Sequence, residues 1–166
     1  MDVHSSIVST FGNRLRVRVC GILIEGEKVL LIKHLNLGPA GVLWSPPGGG
    51  MEFGESAEET LKREFVEETG LEVEIVKFLF VNEFLNPPLH GIELFFWVKN
   101  KGGKLNTGMD PELTNNYQII QEAKFLSIQQ LKQMPAGILH SALTTISTIE
   151  EITQLTGYAL NGKFIK

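Results

Sequence analysis

Alternating and continuous apolar segments along this chain predict a series of short strands. Residues 15–24 and 28–33 are apolar segments on either side of Glu25-Gly26-Glu27, which predicts a hairpin. β-Branched and aromatic residues accumulate in three further strand-like segments, residues 71–84, 91–98 and 119–126. Residues 36–50 are rich in glycine and proline and predict a loop with a short extended piece at residues 42–44.

The most clearly marked helix begins after Ser56. This serine stands three residues before Glu59, which is the capping-box spacing, and Gly70 provides a stop signal. Residues 128–134 predict a short helix, residues 138–155 a longer one despite their many threonines and isoleucines, and residues 100–116 a polar loop. Because strands and helices interleave without regular βαβ spacing, we expect a single α/β domain over residues 1–166, an α/β/α sandwich around a mixed sheet.

Composition narrows the class of protein. Hydrophobic residues make up 43% of the chain and charged residues 20%, which is typical of a soluble globular domain, and the longest apolar runs are too short to span a membrane. The N-terminus lacks a basic region followed by an apolar core, and Cys20 is the single cysteine, so we expect a protein of the reducing cytoplasm. The sequence has no long basic stripe, so no nucleic-acid polymer is expected as a partner.

The negative charge is concentrated in one segment. Residues 52–68 contain seven acidic and two basic residues, a local charge of −5 compared with −4 for the whole chain. An anionic substrate would be repelled from this segment unless a cation lay between the two.

Three glutamates of this segment share one side of the predicted helix. At about 100° per residue, Glu64, Glu67 and Glu68 fall within an arc of about 100°, and Glu68 lies inside the apolar stripe that should face the core. That stripe consists of Ala57, Leu61 and Phe65. Two carboxylates about 5 Å apart repel by about 3 kcal/mol at an effective dielectric of about 20, so a neutralising cation is expected, and oxygen ligands suit Mg²⁺ or Mn²⁺. The spacing alone does not distinguish this site from an acid-rich surface helix.

A longer pattern spans residues 49–71. It consists of Gly49, five residues, Glu55, seven residues, Arg63-Glu64, an apolar residue, any residue, Glu67-Glu68, any residue, Gly70 and the apolar Leu71. The pattern resembles the box of the Nudix hydrolase family at every fixed position. Residues 44–49 also resemble the family's lead-in, except that Pro46 stands where an aliphatic residue is commoner.

The resemblance implies the Nudix fold and a metal-dependent hydrolase. Such an enzyme would cleave a diphosphate bond in a nucleoside diphosphate linked to another moiety, for example a (deoxy)nucleoside triphosphate, ADP-ribose or a nucleotide sugar. The alternative is a Nudix-fold binding or regulatory module without turnover, a class that usually loses the box carboxylates retained here.

The resemblance also implies a metal site, with Mg²⁺ expected and Mn²⁺ as the alternative. The implied ligands are the carboxylates of Glu64, Glu67 and Glu68 and a backbone carbonyl of Gly48 or Gly49. Glu55 and Arg63 would orient these groups, with Arg63 paired to Glu67 four residues further on. The metal would polarise the diphosphate and activate a water for attack at phosphorus.

The general base stays open between two kinds of residue. Glu64 is one candidate, and a glutamate from a later loop is the other, for which we favour Glu112 over Glu122. Either loop glutamate could instead be a solvated acid. The predicted catalytic residues are therefore Glu64, Glu67, Arg63 and Glu112.

The substrate contacts are less closely specified. Arg14, Arg16 and Arg18 alternate with apolar residues, so in a strand they share one face, where they could meet a phosphate or ribose or simply be exposed. Trp44 could stack on a base or lie in the core. Pro87 lies near the place where ADP-ribose-cleaving members tend to carry a proline. The expected partner is a small-molecule nucleotide, and the oligomeric state stays open between monomer and homodimer.

Overall fold

The computed structural model describes residues 8–109 and 118–165, and strands make up nearly half of it. The strands are β1 Arg14–Glu25, β2 Lys28–Leu35, β3 Val42–Ser45, β4 Leu71–Asn86, β5 Leu89–Gly103, β6 Ile120–Ser127, β7 Gly157–Leu160 and β8 Lys163–Ile165. Among the described residues beyond position 12, the helices are α1 Ala57–Thr69, α2 Ile128–Lys132 and α3 Ile149–Gln154, and a 3₁₀ turn lies at Ser141–Leu143.

The strands form a mixed sheet in the order β3-β2-β1-β5-β4-β7-β8, and β6 pairs with β2. β1 is parallel to β5, and β4 is parallel to β7, whereas the other pairs are antiparallel. β1 meets β2 only beside their hairpin, so part of its other edge is available to a loop. Residues 47–51 use that edge: the Val19 amide donates to the Gly49 carbonyl at 2.9 Å and the Gly21 amide to the Pro47 carbonyl at 2.9 Å. The sheet therefore holds the glycine-rich loop directly against β1.

Two hydrophobic cores lie on opposite faces of the sheet. On one face Leu61 and Phe65 of α1 pack with Val19 and Val98. Gly21 allows this approach, because a Cβ at that position would lie 2.3 Å from the Phe65 ring. On the other face, buried residues of α2 and α3 share a core with Phe80 of β4 and Phe95 of β5. The predicted α/β/α arrangement around a mixed sheet is therefore confirmed.

The predicted strands are all present, with ends that differ by one or more residues. The largest error concerns residues 138–155, which form the 3₁₀ turn and the short α3 instead of one long helix. The cause is the segment 144–149, five of whose six residues are β-branched. Thr148 in this segment adopts extended backbone and caps α3 with its side chain, so a new helix starts there. β5 also extends to Gly103 into the expected polar loop, residues 110–116 of which lie outside the described residues. The β7–β8 hairpin had no counterpart in the prediction.

None of the helices in the described residues is both long enough and apolar enough to cross a membrane.

Candidate active site

The ends of α1 are set by local chemistry, as predicted. Ser56 accepts a hydrogen bond from the Glu59 amide at 3.2 Å, and Glu59 accepts one from the Ser56 amide at 2.8 Å. Gly70 ends the helix in the left-handed conformation with φ of 71°. Between these ends the stripe of Leu61 and Phe65 is fully buried. Contacts within residues 56–70 therefore determine where the helix begins and ends.

Two of the predicted metal ligands are buried within this helix. Glu64 and Glu68 are each only 4% exposed, although carboxylates are almost never fully buried unless they are paired. Glu67 lies on the same side with 30% of its side chain exposed. The prediction that Glu68 falls inside the core-facing stripe is confirmed.

The glycine-rich loop fits closely against both buried carboxylates. The Gly48 amide donates to Glu68 Oε2 at 2.8 Å. A Cβ on Gly49 would lie 2.2 Å from Glu64 Oε1, and one on Gly48, where φ is 147°, would lie 2.0 Å from the Val19 carbonyl oxygen. Only residues without a side chain allow the loop backbone to approach the carboxylates in this way.

Arg63 connects the acidic residues to one another. Its Nε and Nη2 donate to the two carboxylate oxygens of Glu55 at 3.0 and 2.9 Å. Its Nη1 donates to Glu64 at 2.8 Å and to Glu67 at 3.1 Å, which includes the expected pair four residues apart. Thr60 adds a hydrogen bond to Glu55 at 2.9 Å. Glu55 and Arg63 thus form an ion pair beside Glu64 and Glu67.

The electrostatics of these acids differ. Burial raises the pKa of Glu64 to about 7, with Glu67 adding to the increase, although Arg63 and Arg18 oppose it. The hydrogen bonds from Arg63 instead lower the pKa of Glu55 to about 2. Glu64 is therefore a buried carboxylate whose charge its neighbours only partly balance.

The carboxylate and carbonyl oxygens of α1 and the glycine loop suit a hard divalent cation, although the carboxylates do not converge on one preformed cation site. Within residues 8–109 and 118–165, no three His, Cys, Asp or Glu side chains are arranged to hold a metal ion. The reason is visible at Arg63, whose Nη1 lies between Glu64 and Glu67, while Glu68 is directed to the Gly48 amide. The Arg63 guanidinium already lies between Glu64 and Glu67, so a bound cation would have to replace its hydrogen bonds to these two carboxylates.

Comparison with known proteins places this geometry in a family. Residues 14–144 match the model of the NUDIX domain. The chain belongs to the Nudix family. It is 34% identical over 120 residues to an ADP-ribose pyrophosphatase of Methanocaldococcus jannaschii, covering 71% of this chain and 65% of that protein. It is 35% identical over 107 residues to an 8-oxo-dGDP phosphatase of Mus musculus, covering 61% of this chain and 32% of that protein.

The fold has close counterparts among solved structures. A crystal structure of a NUDIX hydrolase from Nitrosomonas europaea superimposes with a TM-score of 0.64 at 22% identity, covering 87% of this chain and 78% of that one. The chain spans just under two thirds of the first curated relative and about a third of the second. We call α1 the Nudix helix below.

The predicted arginine row is present on one face of β1. Arg14, Arg16 and Arg18 pair in register with Leu89, Gly91 and Glu93 of β5. Arg14 and Arg16 line a groove of about 580 Å³ between the start of β1 and residues 50–53, and Arg16 lies 3.8 Å above the Phe11 ring. Arg18 lies further in and donates to the Gly48 carbonyl at 3.4 Å, so the row runs toward the glycine loop.

The remaining predicted residues differ in their surroundings. Trp44 is 8% exposed and packs in the hydrophobic core. Glu122 lies on β6 with 43% of its side chain exposed and pairs with Lys124 at 3.5 Å. Glu112 lies outside the described residues. Met109, the last described residue before it, donates its amide to the Glu67 carbonyl at 3.3 Å.

Sequence reasoning missed a buried polar network beside Arg18. The carboxylate of Glu93 accepts hydrogen bonds from Asn82 at 2.7 Å and from His140 Nε2 at 3.0 Å, and it lies 3.9 Å from Arg18 Nε. His140 Nδ1 accepts from the Ala142 amide at 3.3 Å, so Nε2 carries the proton. Burial would raise the pKa of Glu93, but His140, Arg18 and Asn82 outweigh it and lower the pKa to about 2. The available signal was a single acid inside the apolar run 92–98.

Proposed function

We propose that this Nudix-family chain is a metal-dependent hydrolase that cleaves a diphosphate bond in a nucleoside diphosphate linked to another moiety. The observation that carries the proposal is the placement of Glu64, Glu67 and Glu68 on one helix, two of them buried against a loop of glycines. Burial of that much negative charge is costly unless a cation binds it. A diphosphate is an anion that such a cation would attract.

The proposed metal ligands are the three glutamates of the Nudix helix and one loop carbonyl. Gly48 is the better candidate for the carbonyl, because the Gly49 carbonyl is engaged by the Val19 amide at 2.9 Å, whereas Gly48 accepts a longer bond from Arg18. When bound, Mg²⁺ or Mn²⁺ would supply polarisation of the diphosphate and neutralise the charge that develops at phosphorus.

The chain's own residues have distinct proposed roles around that centre. Arg63, held by Glu55, keeps Glu64 and Glu67 in position. Glu64 remains one candidate for the general base, since its buried carboxylate lies directly against the glycine loop. Glu112 remains the favoured loop acid, and Glu122 remains its alternative.

The arginine row is proposed to bind the phosphates and ribose of the substrate. Arg18 lies beside the Gly48 carbonyl, and Arg16 and Arg14 continue outward along the same strand face. A guanidinium binds phosphate oxygens through paired N–H groups, so a row of three suits a substrate with more than one phosphate. We leave Trp44 out of this site because its ring packs in the core.

The shared chemistry of the two curated relatives supports a proposed substrate class. One is named for cleaving ADP-ribose and the other for acting on 8-oxo-dGDP, and both compounds contain a nucleoside diphosphate. We therefore propose that this unit is what the chain recognises, with the attached moiety still to be identified.

A panel assay tests the proposal. ADP-ribose, nucleoside di- and triphosphates including 8-oxoguanine forms, and nucleotide sugars are each incubated with the full chain and Mg²⁺, and release of phosphate or nucleoside monophosphate is measured. Turnover of at least one compound that is abolished by EDTA and restored by Mg²⁺ is the expected result. Turnover that survives exhaustive EDTA treatment would overturn the metal mechanism. Tight binding without turnover of any compound would favour a binding module instead.

A further inference from the structure

A segment that follows β5 closes the C-terminal end of the Nudix helix. We call residues 104–109 the strap. Its backbone amides donate to the last three carbonyls of α1, pairing Asn106 with Thr69 at 2.9 Å, Gly108 with Glu68 at 2.8 Å and Met109 with Glu67 at 3.3 Å. The strap is also tied to β6, because the Ala123 amide donates to Thr107 Oγ1 at 3.4 Å. The last backbone carbonyls of a helix are normally hydrogen-bonded by water, whereas here they accept hydrogen bonds from a distant part of the chain.

The strap offsets an unfavourable charge arrangement. The C-terminal end of a helix carries partial negative charge, which disfavours acids there and favours bases. The last turn of α1 has no basic residue, yet it carries Glu67 and Glu68. The strap amides bring the positive ends of N–H dipoles to these same carbonyls. They therefore stabilise the part of the helix whose charge is least favourable.

This contact requires glycine at position 108. A Cβ at Gly108 would lie 1.8 Å from the Glu67 carbonyl oxygen and 2.7 Å from the Glu68 carbonyl carbon, both of which are backbone atoms. Gly102, a few residues earlier, differs: the nearest atom to a Cβ there is Glu72 Oε2 at 3.4 Å. A methyl group is thus tolerated at Gly102, whereas at Gly108 it must move the strap or the end of the helix.

We propose that Gly108 is a positioning residue for cation binding, an inference that rests on the metal site proposed above. Gly108 lets the strap amides reach the end of the helix, and these amides fix the backbone of Glu67 and Glu68. The fixed backbone sets the spacing of the Glu67 and Glu68 carboxylates, which bind the divalent cation. Binding of the cation to these carboxylates in turn tightens the strap against the helix end, because the same two residues take part in both contacts.

Gly108→Ala, compared with Gly102→Ala, tests the proposal on the full chain. Mn²⁺ alone is titrated into each protein without nucleotide, and the free ion is followed by its paramagnetic resonance signal at a temperature where circular dichroism shows each protein folded. Wild type and Gly102→Ala should bind Mn²⁺ equally, and Gly108→Ala at least about tenfold more weakly. A folded Gly108→Ala with wild-type affinity would overturn this proposal alone. Failure of the wild type to bind Mn²⁺ would overturn the proposed metal site as well.

A second measurement uses only the wild type, so it does not depend on the variant folding. Amide hydrogen exchange is recorded with and without saturating Mg²⁺. The amides of Asn106, Gly108 and Met109 should exchange at least about tenfold more slowly with Mg²⁺, whereas those of the β7–β8 hairpin should not change. A strap with a purely structural role would exchange at the same rate in both conditions, and that result would overturn the coupling.

Discussion

Glu64 and Glu93 are two buried glutamates whose pKa values are shifted in opposite directions. They are 4% and 8% exposed, so loss of water affects both strongly. Burial prevails at Glu64, whose pKa rises to about 7, whereas at Glu93 the surrounding partners prevail and the pKa falls to about 2. Glu93 has His140, Arg18 and Asn82 directed at one carboxylate. Glu64 shares Arg63 with two other acids.

The difference separates a carboxylate that stabilises the fold from one that we propose to bind a cation. The charge of Glu93 is already balanced by protein groups, so a cation would gain little there. Glu64 belongs to a cluster in which negative charge exceeds positive charge, and an added cation removes that imbalance. Depth of burial alone would not have distinguished the two residues.

The largest expected effect is on activity and concerns the cluster around Glu64. Glu67→Gln and Glu68→Gln keep the size of each side chain but remove the charge that attracts the cation. We expect kcat/KM with saturating Mg²⁺ to fall by at least about 100-fold, or about 2.7 kcal/mol, while the metal-free protein remains as stable as before. Glu58→Gln is the matched control, because Glu58 is on the same helix with 56% of its side chain exposed, and it should leave both quantities unchanged.

A contrary result for this pair is easy to recognise. If the two glutamine variants unfold at a much lower temperature than the wild type without metal and yet keep normal turnover, Glu67 and Glu68 are structural. The acidic cluster would then no longer distinguish Glu64 from Glu93 as a cation-binding residue.

The next effect is on the pH dependence of stability. The pKa of Glu64 is raised on folding, so the folded protein holds a proton that the unfolded chain has lost, and stability falls as pH rises from about 4.5 to about 7. The loss amounts to at most about 3.5 kcal/mol, since one pKa unit is about 1.4 kcal/mol. Urea unfolding of the metal-free protein at pH 5 and pH 8 measures it. Glu64→Gln should remove most of this slope, and an unchanged slope in that variant would show that another group is responsible.

The smallest effect is expected at Glu93. Its pKa is lowered on folding, so its contribution is present above about pH 4.5 and is lost as pH falls toward 2. Glu93→Gln should therefore cost about 1–3 kcal/mol at neutral pH, which lowers Tm by about 2–4 °C per kcal/mol. Mn²⁺ affinity should not change. Glu74→Gln removes an exposed ion pair and serves as the control. A Glu93→Gln protein with wild-type Tm and weakened Mn²⁺ binding would reverse the roles assigned to the two glutamates.

The same pair of residues shows how far sequence reasoning extends. Glu64 was predictable because its signals are local: the capping box at Ser56, the stop at Gly70 and the helical spacing lie within one segment. Arg63 and Glu67 are likewise four residues apart. The partners of Glu93 are not local, since His140 is 47 positions away and comes from a turn whose conformation was wrongly predicted as helix. Residues 144–149 misled the prediction because their helical apolar pattern competes with the extended preference of β-branched residues.

The strap has a consequence for the order in which the molecule is assembled. Local signals at Ser56 and Gly70 allow α1 to begin forming as soon as its own residues are available. The three carbonyls at its end must wait for residues 106–109, which come after β4 and β5. Contacts between distant segments form later than local ones, because the intervening chain must first be ordered. During synthesis from the N-terminus, the helix can therefore form before β4 and β5 have been made, and the geometry that we propose for its cation site follows only after both strands.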